Sequence, residues 1–274
     1  MENTKPVSLL HQNSLCVISG ASRGIGKEIA IQLAGNVTSN SKFLLISRNE
    51  NDLEETAKEI RIKTDSKINP NTFVCDLANF DEEKKTIFEK KLQSLIDEGA
   101  RFDVAFIIHN AGTVGNIMDP VAKLESAKEM RDYLDLNLVS CVLLNNSFLK
   151  LLGSDEKFAW QRVVINITSL MAVKSLPGFG LYAMGKAARE AFLRSLAAED
   201  AKLRVLNYSP GPVKTDMTSF VKDAIWDEGT KGWFKNAFET GTILTTEQTI
   251  TKLLHVLHQN TFENGNHLDY YDIQ

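Results

Sequence analysis

The stretch Gly20-Ala21-Ser22-Arg23-Gly24-Ile25-Gly26 follows a short apolar run and opens an amphipathic one. Glycines let a backbone turn sharply and approach a pyrophosphate, and a following helix offers free N–H groups and a positive dipole end. The spacing is G-x-x-x-G-x-G, whereas the more familiar dinucleotide fingerprint is G-x-G-x-x-G. We therefore predict a strand, a dinucleotide-binding turn and a helix at this position.

Short apolar runs alternate with longer amphipathic segments along the rest of the chain. The predicted strands are 15–19, 43–46, 72–75, 104–108, 163–167, 204–208 and 267–271, and the predicted helices are 25–33, 52–63, 82–96, 130–152, 182–198 and 246–258. Continuous apolar strands separated by helices are typical of a parallel sheet that is covered on both faces. With right-handed crossovers, this pattern predicts an α/β fold of about seven strands, a doubly wound Rossmann-type sheet with helices on both faces. Because no linker or repeat divides the sequence, we expect a single domain over residues 1–274.

The composition excludes several classes of partner. The chain has 274 residues, a net charge of -4 and no long basic run, which argues against nucleic acid or an anionic membrane as the main partner. No apolar stretch approaches the roughly 20 residues of a membrane span, and residues 1–14 lack the apolar core of a signal peptide. The three widely spaced cysteines, Cys16, Cys75 and Cys141, predict buried reduced thiols in a cytoplasmic protein. No His, Cys or Asp cluster has the spacing of a metal site.

One segment, residues 212–245, breaks the alternation of strands and helices. It is rich in Thr, Gly, Asp and Lys, and it contains several aromatic residues. It follows the strand predicted at 204–208, so it lies at the carboxyl edge of the sheet. Such an insert is either a lid that covers the substrate or a plain loop with a small cluster of its own.

Candidate cofactor contacts follow the second, third and fourth predicted strands. NAD sites usually have an acidic residue after the second strand, but this chain has Ser47-Arg48-Asn49, and Arg48 and Arg23 could together clamp a 2′-phosphate. The alternative is two solvated arginines. Asp76 could accept a hydrogen bond from an adenine amino group or cap the next helix. Small residues in Asn110-Ala111-Gly112 allow the chain to pass close to a ribose. The two arginines, as a clamp for a 2′-phosphate, favour NADP(H) over NAD(H).

A second group of polar residues lies at the same sheet edge. Ser169 follows the strand 163–167, and Tyr182 and Lys186 are four residues apart on one helix face. A nearby ammonium lowers the pKa of a phenol from about 10, so Tyr182 could exchange a proton with a carbonyl or alcohol. Ser169 could donate to the substrate oxygen, and Asn137 could support a water chain to Lys186.

Taken together, these residues resemble the short-chain dehydrogenase/reductase family over nearly the whole chain. The resemblance implies a catalytic tetrad of Asn137, Ser169, Tyr182 and Lys186, in which Lys186 also binds the nicotinamide ribose. It implies that residues 211–217 cover the nicotinamide and pyrophosphate. The candidate cofactor-binding residues are then Gly20, Ser22, Arg23, Gly24, Ile25, Gly26, Arg48, Asn49, Asp76, Leu77, Asn110, Ala111, Gly112, Tyr182, Lys186, Pro210, Gly211, Val213, Thr215 and Met217.

Four segments resemble most closely a branch of the family that reduces side-chain keto groups of pterins. They are residues 137–140, 181–182 with 185–189, 204–212 and 267–272. In that branch the carboxylate that matches Asp269 anchors the amino-pyrimidine ring, and a carboxylate can pair bidentately with a ring N–H and its adjacent amino group. The alternative for Asp269 is a surface acid at a strand end. The candidate substrate-binding residues are Ser169, Tyr182, Gly211 and Asp269, and the departures from the patterns are His109, Phe179, Ala183 and Met184.

Two other functions remain open at this point. A broad reductase of diketones and other carbonyls would share the fold and the tetrad, but it would not need Asp269. A non-catalytic dinucleotide sensor would not need Tyr182. The helices at 130–152 and 182–198 are apolar on more than one face, which is typical of helices that pack across a two-fold axis, and the resemblance points to a homodimer.

Overall fold

The computed structural model describes residues 6–99, 101–153 and 159–274. The strands of this part are β1 Ser14–Ser19, β2 Lys42–Ser47, β3 Asn71–Val74, β4 Phe102–His109, β5 Ala159–Ile167, β6 Leu203–Ser209 and β7 His267–Asp269. They form one parallel sheet of seven strands in the order β3-β2-β1-β4-β5-β6-β7 within the described residues. The predicted single-domain, doubly wound sheet is confirmed.

Helices cover both faces of the sheet. They are α1 Gly24–Ala34, α2 Glu50–Lys63, α3 Glu82–Gly99, α4 Ala127–Leu134, α5 Ser140–Leu152, α6 Gly180–Glu199, α7 Asp216–Ala224, α8 Glu228–Glu239 and α9 Thr246–Gln259. Alternate residues of a strand point to opposite faces. In β1, Cys16 and Ile18 therefore join the core under α1 and α9, whereas Leu15 and Val17 join the core under α3 and α5. Burial on both faces explains why the strands are apolar without alternation.

The prediction of one unbroken helix over 130–152 is wrong. The segment is α4, then a π-helical turn at Asp135–Val139, then α5. The turn is centred on Asn137, whose Oδ1 accepts from the backbone N–H of Thr113 at 2.9 Å and whose Nδ2 donates to the carbonyl of Tyr133 at 2.9 Å. These tertiary contacts hold the extra residue of a π turn, a feature that often marks functional sites.

The last strand is shorter than predicted, because β7 ends at Asp269 and residues Tyr270–Asp272 form a 3₁₀ turn. The carboxylate of Asp269 accepts a hydrogen bond from the backbone N–H of Tyr271 at 3.1 Å, so the side chain caps this turn. The end of the strand is therefore set by the same side chain that the sequence marked as a ligand anchor.

Residues 212–245 contain two helices, α7 and α8, and whether the segment covers the substrate stays a prediction. A backbone bridge between Val213 and Leu244 closes the base of the segment, and Thr215 and Thr218 form a capping box at the start of α7. Between the two ends, Val221 of α7, Ile225 directly after it and Phe234 of α8 join a third apolar cluster. The other members of this cluster are Val114, Ile117 and Phe179, with Met171, Tyr182, Met217 and Ala224 packed against it.

Three sequence expectations concern membrane spans, metal sites and the state of the cysteines. In the described ranges, no helix is long and apolar enough to cross a membrane. Over the same ranges, no group of three His, Cys, Asp or Glu side chains is placed to hold a metal ion. Cys16, Cys75 and Cys141 are free and buried, as predicted. Within the stretch 1–14, residues 1–5 lie outside the described part.

Candidate active site

The predicted site residues meet at the carboxyl edge of the sheet. Ile167 of β5 is opposite Tyr208 of β6, and the next residue, Thr168, donates its backbone N–H to the carbonyl of Tyr208 at 2.8 Å. Ser209 is opposite Asp269 of β7. The residue that follows Thr168 is Ser169, so the candidate catalytic and anchoring residues share one row, which is where α/β sheets bind ligands.

The glycine-rich turn is tightly built. Gly20 and Gly24 have φ angles of +69° and +56°, which glycine adopts without strain. A Cβ at Gly26 would overlap the carbonyl oxygen of Gly20 and Nδ2 of Asn110. That amide donates to the carbonyls of Ser19 at 3.2 Å and Gly20 at 3.0 Å. The side chain of Asn110 therefore holds the turn against the end of β4.

The start of α1 is left open to a ligand. Arg23 precedes the helix with an extended backbone, and its side chain makes no capping hydrogen bond. The first N–H groups of a helix need an acceptor, and a phosphate is a suitable one. A glycine turn with positive φ angles beside uncapped N–H groups fits the pyrophosphate of a dinucleotide.

We expect Gly26→Ala to lower the melting temperature and to abolish dinucleotide binding, because the new methyl group meets backbone and the Asn110 amide rather than a movable side chain. Gly232→Ala in α8 is the matched control, since a Cβ there meets nothing within 4 Å. That change should raise the free energy of unfolding by about 0.5–1 kcal/mol. Thermal unfolding with and without NADPH checks both; equal behaviour of the two variants would contradict the packing argument.

The residues after β2 and β3 have partners within the protein. Ser47 Oγ donates to Ser22 Oγ at 2.9 Å, and Asn49 Oδ1 accepts from the N–H of Asp52 at 3.2 Å, which caps α2. Arg48 is exposed. Asp76 caps a 3₁₀ turn by accepting from the N–H of Ala78 at 3.2 Å, so of its two alternatives the cap is observed and the adenine contact stays a prediction.

Arg23 forms an ion pair with Asp216, which lies on the opposite side of the site. Its guanidinium lies 2.6 Å from a carboxylate oxygen of Asp216 at the start of α7. The pair is exposed and hence weak, so a 2′-phosphate could compete for the guanidinium. The pair also links the glycine turn to the segment 212–245.

Tyr182 and Lys186 lie on the first two turns of α6, as predicted. A side-chain hydrogen bond joins Tyr182 and Ser169, whose Oγ also accepts from the N–H of Met171 at 3.2 Å. Lys186 Nζ donates to the carbonyl of Ile167 at 2.6 Å and lies 5.5 Å from the centre of the Tyr182 ring. The three predicted residues are therefore brought together.

The expected lowering of the Tyr182 pKa by Lys186 is not found. Desolvation raises the pKa of Tyr182, and the hydrogen bond with Ser169 and the charge of Arg189 act in the opposite direction. Desolvation, and then the charge of Arg189, hold the pKa of Lys186 well below its usual value. A buried ammonium is itself disfavoured, so it cannot act as a full charge beside the phenol. The phenol is thus kept protonated, which suits a proton donor.

Arg189 orders the candidate site, and the sequence did not mark it for this role. It is 1% exposed, and it donates to the carbonyl of His109 at 2.8 Å and to that of Ala111 at 3.0 Å. It therefore fixes the loop after β4 against the helix of Tyr182. Its position three residues after Lys186, on the same helix face, was the available signal. The uncertain bonding of His109 is also resolved, since its Nε2 lies 3.3 Å from Oδ1 of Asn145.

Asn137 is 2% exposed, and its Oδ1 and Nδ2 atoms already have protein partners. The side chain therefore orders the backbone after β4, where a Cβ on Gly112 would come within 2.7 Å of its Oδ1. A water chain from Asn137 to Lys186 stays a prediction.

Asp269 is 7% exposed, so the alternative of a surface acid is wrong. Ser209 Oγ donates to its Oδ2 at 2.6 Å, and the N–H of Tyr271 donates to its Oδ1 at 3.1 Å. An ionised carboxylate has about four acceptor positions, so each oxygen keeps one for a ligand. Gly211 has a φ of +72°, and its backbone passes close to Tyr270 and Tyr271 in the turn after Asp269.

The departures near Tyr182 bear on the shape of the substrate pocket. Phe179 packs between Tyr182 and Phe234, with ring-centre distances of 5.8 and 6.3 Å. Met184 is 41% exposed, and Ala183 is partly buried. An aromatic path thus leads from the candidate proton donor to α8.

A parallel sheet with this glycine turn and a Ser–Tyr–Lys group at its carboxyl edge defines a dinucleotide-dependent oxidoreductase fold. The family model for short chain dehydrogenase matches residues 14–226, and the chain belongs to this family. Sepiapterin reductase from Rattus norvegicus is 31% identical over 262 residues, which are 95% of this chain and 97% of that protein. Benzil reductase ((S)-benzoin forming) from Bacillus subtilis (strain 168) is 30% identical and covers 92% of this chain and 96% of its own.

The solved structures agree on the fold. A short chain dehydrogenase from Shigella flexneri 2a, complexed with NADP, superposes with a TM-score of 0.74 at 24% identity. The match covers 96% of this chain and 99% of that one. The sequence resembles a branch of the family that reduces pterins. The sepiapterin reductases among the relatives agree with that resemblance.

Proposed function

We propose that this protein is an NADP(H)-dependent carbonyl reductase that reduces keto groups on the side chain of pterins, such as sepiapterin or 6-pyruvoyl-tetrahydropterin, in tetrahydrobiopterin synthesis. The observation that carries the proposal is the buried carboxylate of Asp269 in the same row as the end of β5. Two inter-strand spacings separate β5 from β7, or about 10 Å. This separation lets a two-ring ligand with a short side chain place its amino-pyrimidine on Asp269 and its keto group beside Ser169.

The residues divide the work of a carbonyl reduction among them. When bound, NADPH supplies the hydride. Ser169 donates a hydrogen bond to the substrate oxygen, and Tyr182, held protonated by burial, gives its proton to that oxygen. Lys186 donates one hydrogen bond to the carbonyl of Ile167, and even the neutral amine then keeps one N–H for the nicotinamide ribose. Segment 212–245 covers the substrate from the side of Phe179.

Arg48 is expected to set the preference for NADP(H). We expect Arg48→Ala to weaken NADPH binding by about tenfold or more and to leave NADH binding unchanged, because the lost guanidinium can pair only with a 2′-phosphate. Arg61→Ala, which removes an arginine from the far end of α2, is the control. Fluorescence titration with both cofactors measures the effect; a wild-type preference for NADH would refute the assignment.

A diketone reductase is the second candidate. The benzil reductases among the relatives and the aromatic path from Tyr182 through Phe179 to Phe234 favour it. NADPH oxidation by the purified protein with sepiapterin and with benzil separates the two functions. Turnover of sepiapterin with the higher kcat/KM supports the proposed function, whereas turnover of benzil alone refutes it and leaves the mechanism in place.

Assembly and location belong to the same proposal. We propose a cytoplasmic homodimer in which α4, α5 and α6 pack against their two-fold copies. The exposed apolar side chain of Val139, at the junction of the π turn and α5, supports this choice of face.

A further inference from the structure

One buried carboxylate outside the predicted tetrad connects the segments that carry the candidate site residues. Glu190 lies on α6 and is 1% exposed. Its Oε1 accepts a hydrogen bond from Oγ1 of Thr168, directly before Ser169, at 2.5 Å. The same oxygen lies 2.8 Å from Nδ1 of His267, two residues before Asp269 on β7. A single side chain thus joins α6, the end of β5 and β7.

The charges around this contact are mixed. On α6, Arg194 Nη1 lies 3.4 Å from Oε2 of Glu190. From the chain end, the carboxylates of Asp269 and Asp272 also act on His267. The hydrogen bond with Glu190 is the main reason that the pKa of His267 is raised, against the desolvation that lowers it. A buried carboxylate is costly unless it is paired, so Glu190 itself stabilises the imidazolium.

The contact between His267 and Glu190 also affects the orientation of Asp269. Residues two apart on a strand point to the same face, so His267 and Asp269 project from β7 together. A bond from His267 to α6 therefore fixes the orientation of Asp269 relative to the helix that carries Tyr182. The bond to Thr168 fixes the position of Ser169 from the other side.

We propose that Glu190 and His267 are positioning residues that lock β7 to α6 and hold Asp269 at a fixed distance from the Ser169–Tyr182 pair. The part that concerns Asp269 rests on the proposed pterin function. The lock is strongest when the imidazole is charged. Because the folded pKa of His267 is raised, this contribution is fully present below the unfolded value near 6.5 and is lost as pH rises through the folded pKa.

The test compares kcat/KM for sepiapterin with kcat/KM for benzil in the same protein, so that effects on the chemical step cancel. In the wild type this ratio should fall by about three- to tenfold between pH 6 and 9, through KM for sepiapterin rather than kcat. His267→Asn keeps a neutral donor near Nδ1, and its ratio should be low and independent of pH. His255→Asn, which changes an exposed histidine of α9, is the control and should follow the wild type. An unaltered pH dependence in His267→Asn would overturn the proposal.

A second measurement separates this inference from the proposed function. The titration of His267 is followed by NMR in the NADPH-bound wild type and in Glu190→Gln, which keeps the shape of the side chain. We expect the titration midpoint to fall towards 6.5 in the variant. A midpoint that does not move refutes the lock whatever the substrate is. If the midpoint falls and sepiapterin is not turned over, the lock is supported and the substrate assignment is refuted.

Discussion

Replacing Tyr182 with Phe is expected to lower kcat for carbonyl reduction by about 10²- to 10⁴-fold, the usual contribution of a positioned general acid. The change removes only the phenol oxygen, so the ring contacts with Phe179 and with the cluster under α7 remain. NADPH binding and the melting temperature should therefore be close to those of the wild type. Single-turnover oxidation of NADPH measures the chemical step directly.

The pH dependence follows from the direction of the Tyr182 pKa. Because desolvation raises it, the phenol is protonated throughout the neutral range, and kcat for reduction should be flat from about pH 6 to 9. The reverse oxidation of an alcohol needs the phenolate and should rise over the same range. Undiminished turnover in Tyr182→Phe would remove this residue from the mechanism. Absence of turnover in the wild type with any carbonyl, despite NADPH binding, would favour a dinucleotide sensor.

Replacing Asp269 with Asn is expected to lower kcat/KM for sepiapterin by about 10- to 150-fold, since a hydrogen bond to a charged group contributes about 1.5–3 kcal/mol. The amide oxygen can still accept from the N–H of Tyr271, and the amide NH2 can donate to Ser209 Oγ, so the turn after β7 should persist. It cannot supply the charge or the second acceptor that a protonated amino-pyrimidine needs. Turnover of benzil should be nearly unchanged.

The control for this prediction is Asp272→Asn, which neutralises an exposed acid of the same 3₁₀ turn. It should leave both substrates unaffected. Equal losses on sepiapterin and benzil in Asp269→Asn would show that the carboxylate only holds the turn. No loss on either substrate would refute its role as the pterin anchor.

The sheet and the cofactor turn could be predicted because their determinants are local. Strands such as β1 and β4 are apolar runs of the right length, and the positive φ angles of Gly20 and Gly24 belong to the turn itself. Tyr182 and Lys186 were also predictable, since four residues on a helix bring two side chains together.

The features that were missed depend on residues far apart in sequence. The π turn at Asn137 exists because the loop after β4 presents the N–H of Thr113, which no pattern within 130–152 records. The same is true of Arg23, which is paired with Asp216, and of Glu190, which is paired with His267. The predicted direction of the shift in the Tyr182 pKa was wrong. Burial, which raises this pKa, is a property of the folded molecule, whereas the sequence showed only a neighbouring lysine.

The hydrogen bonds of Arg189 couple the local unfolding of two parts of the molecule. Its guanidinium holds two carbonyls of the loop that also carries Asn110, and Asn110 holds the glycine turn. Local unfolding of α6 would leave those carbonyls without a donor and would release the turn as well. The dinucleotide half and the catalytic helix should accordingly exchange their amide hydrogens as one cooperative unit, in which a ligand on either part slows the opening of both.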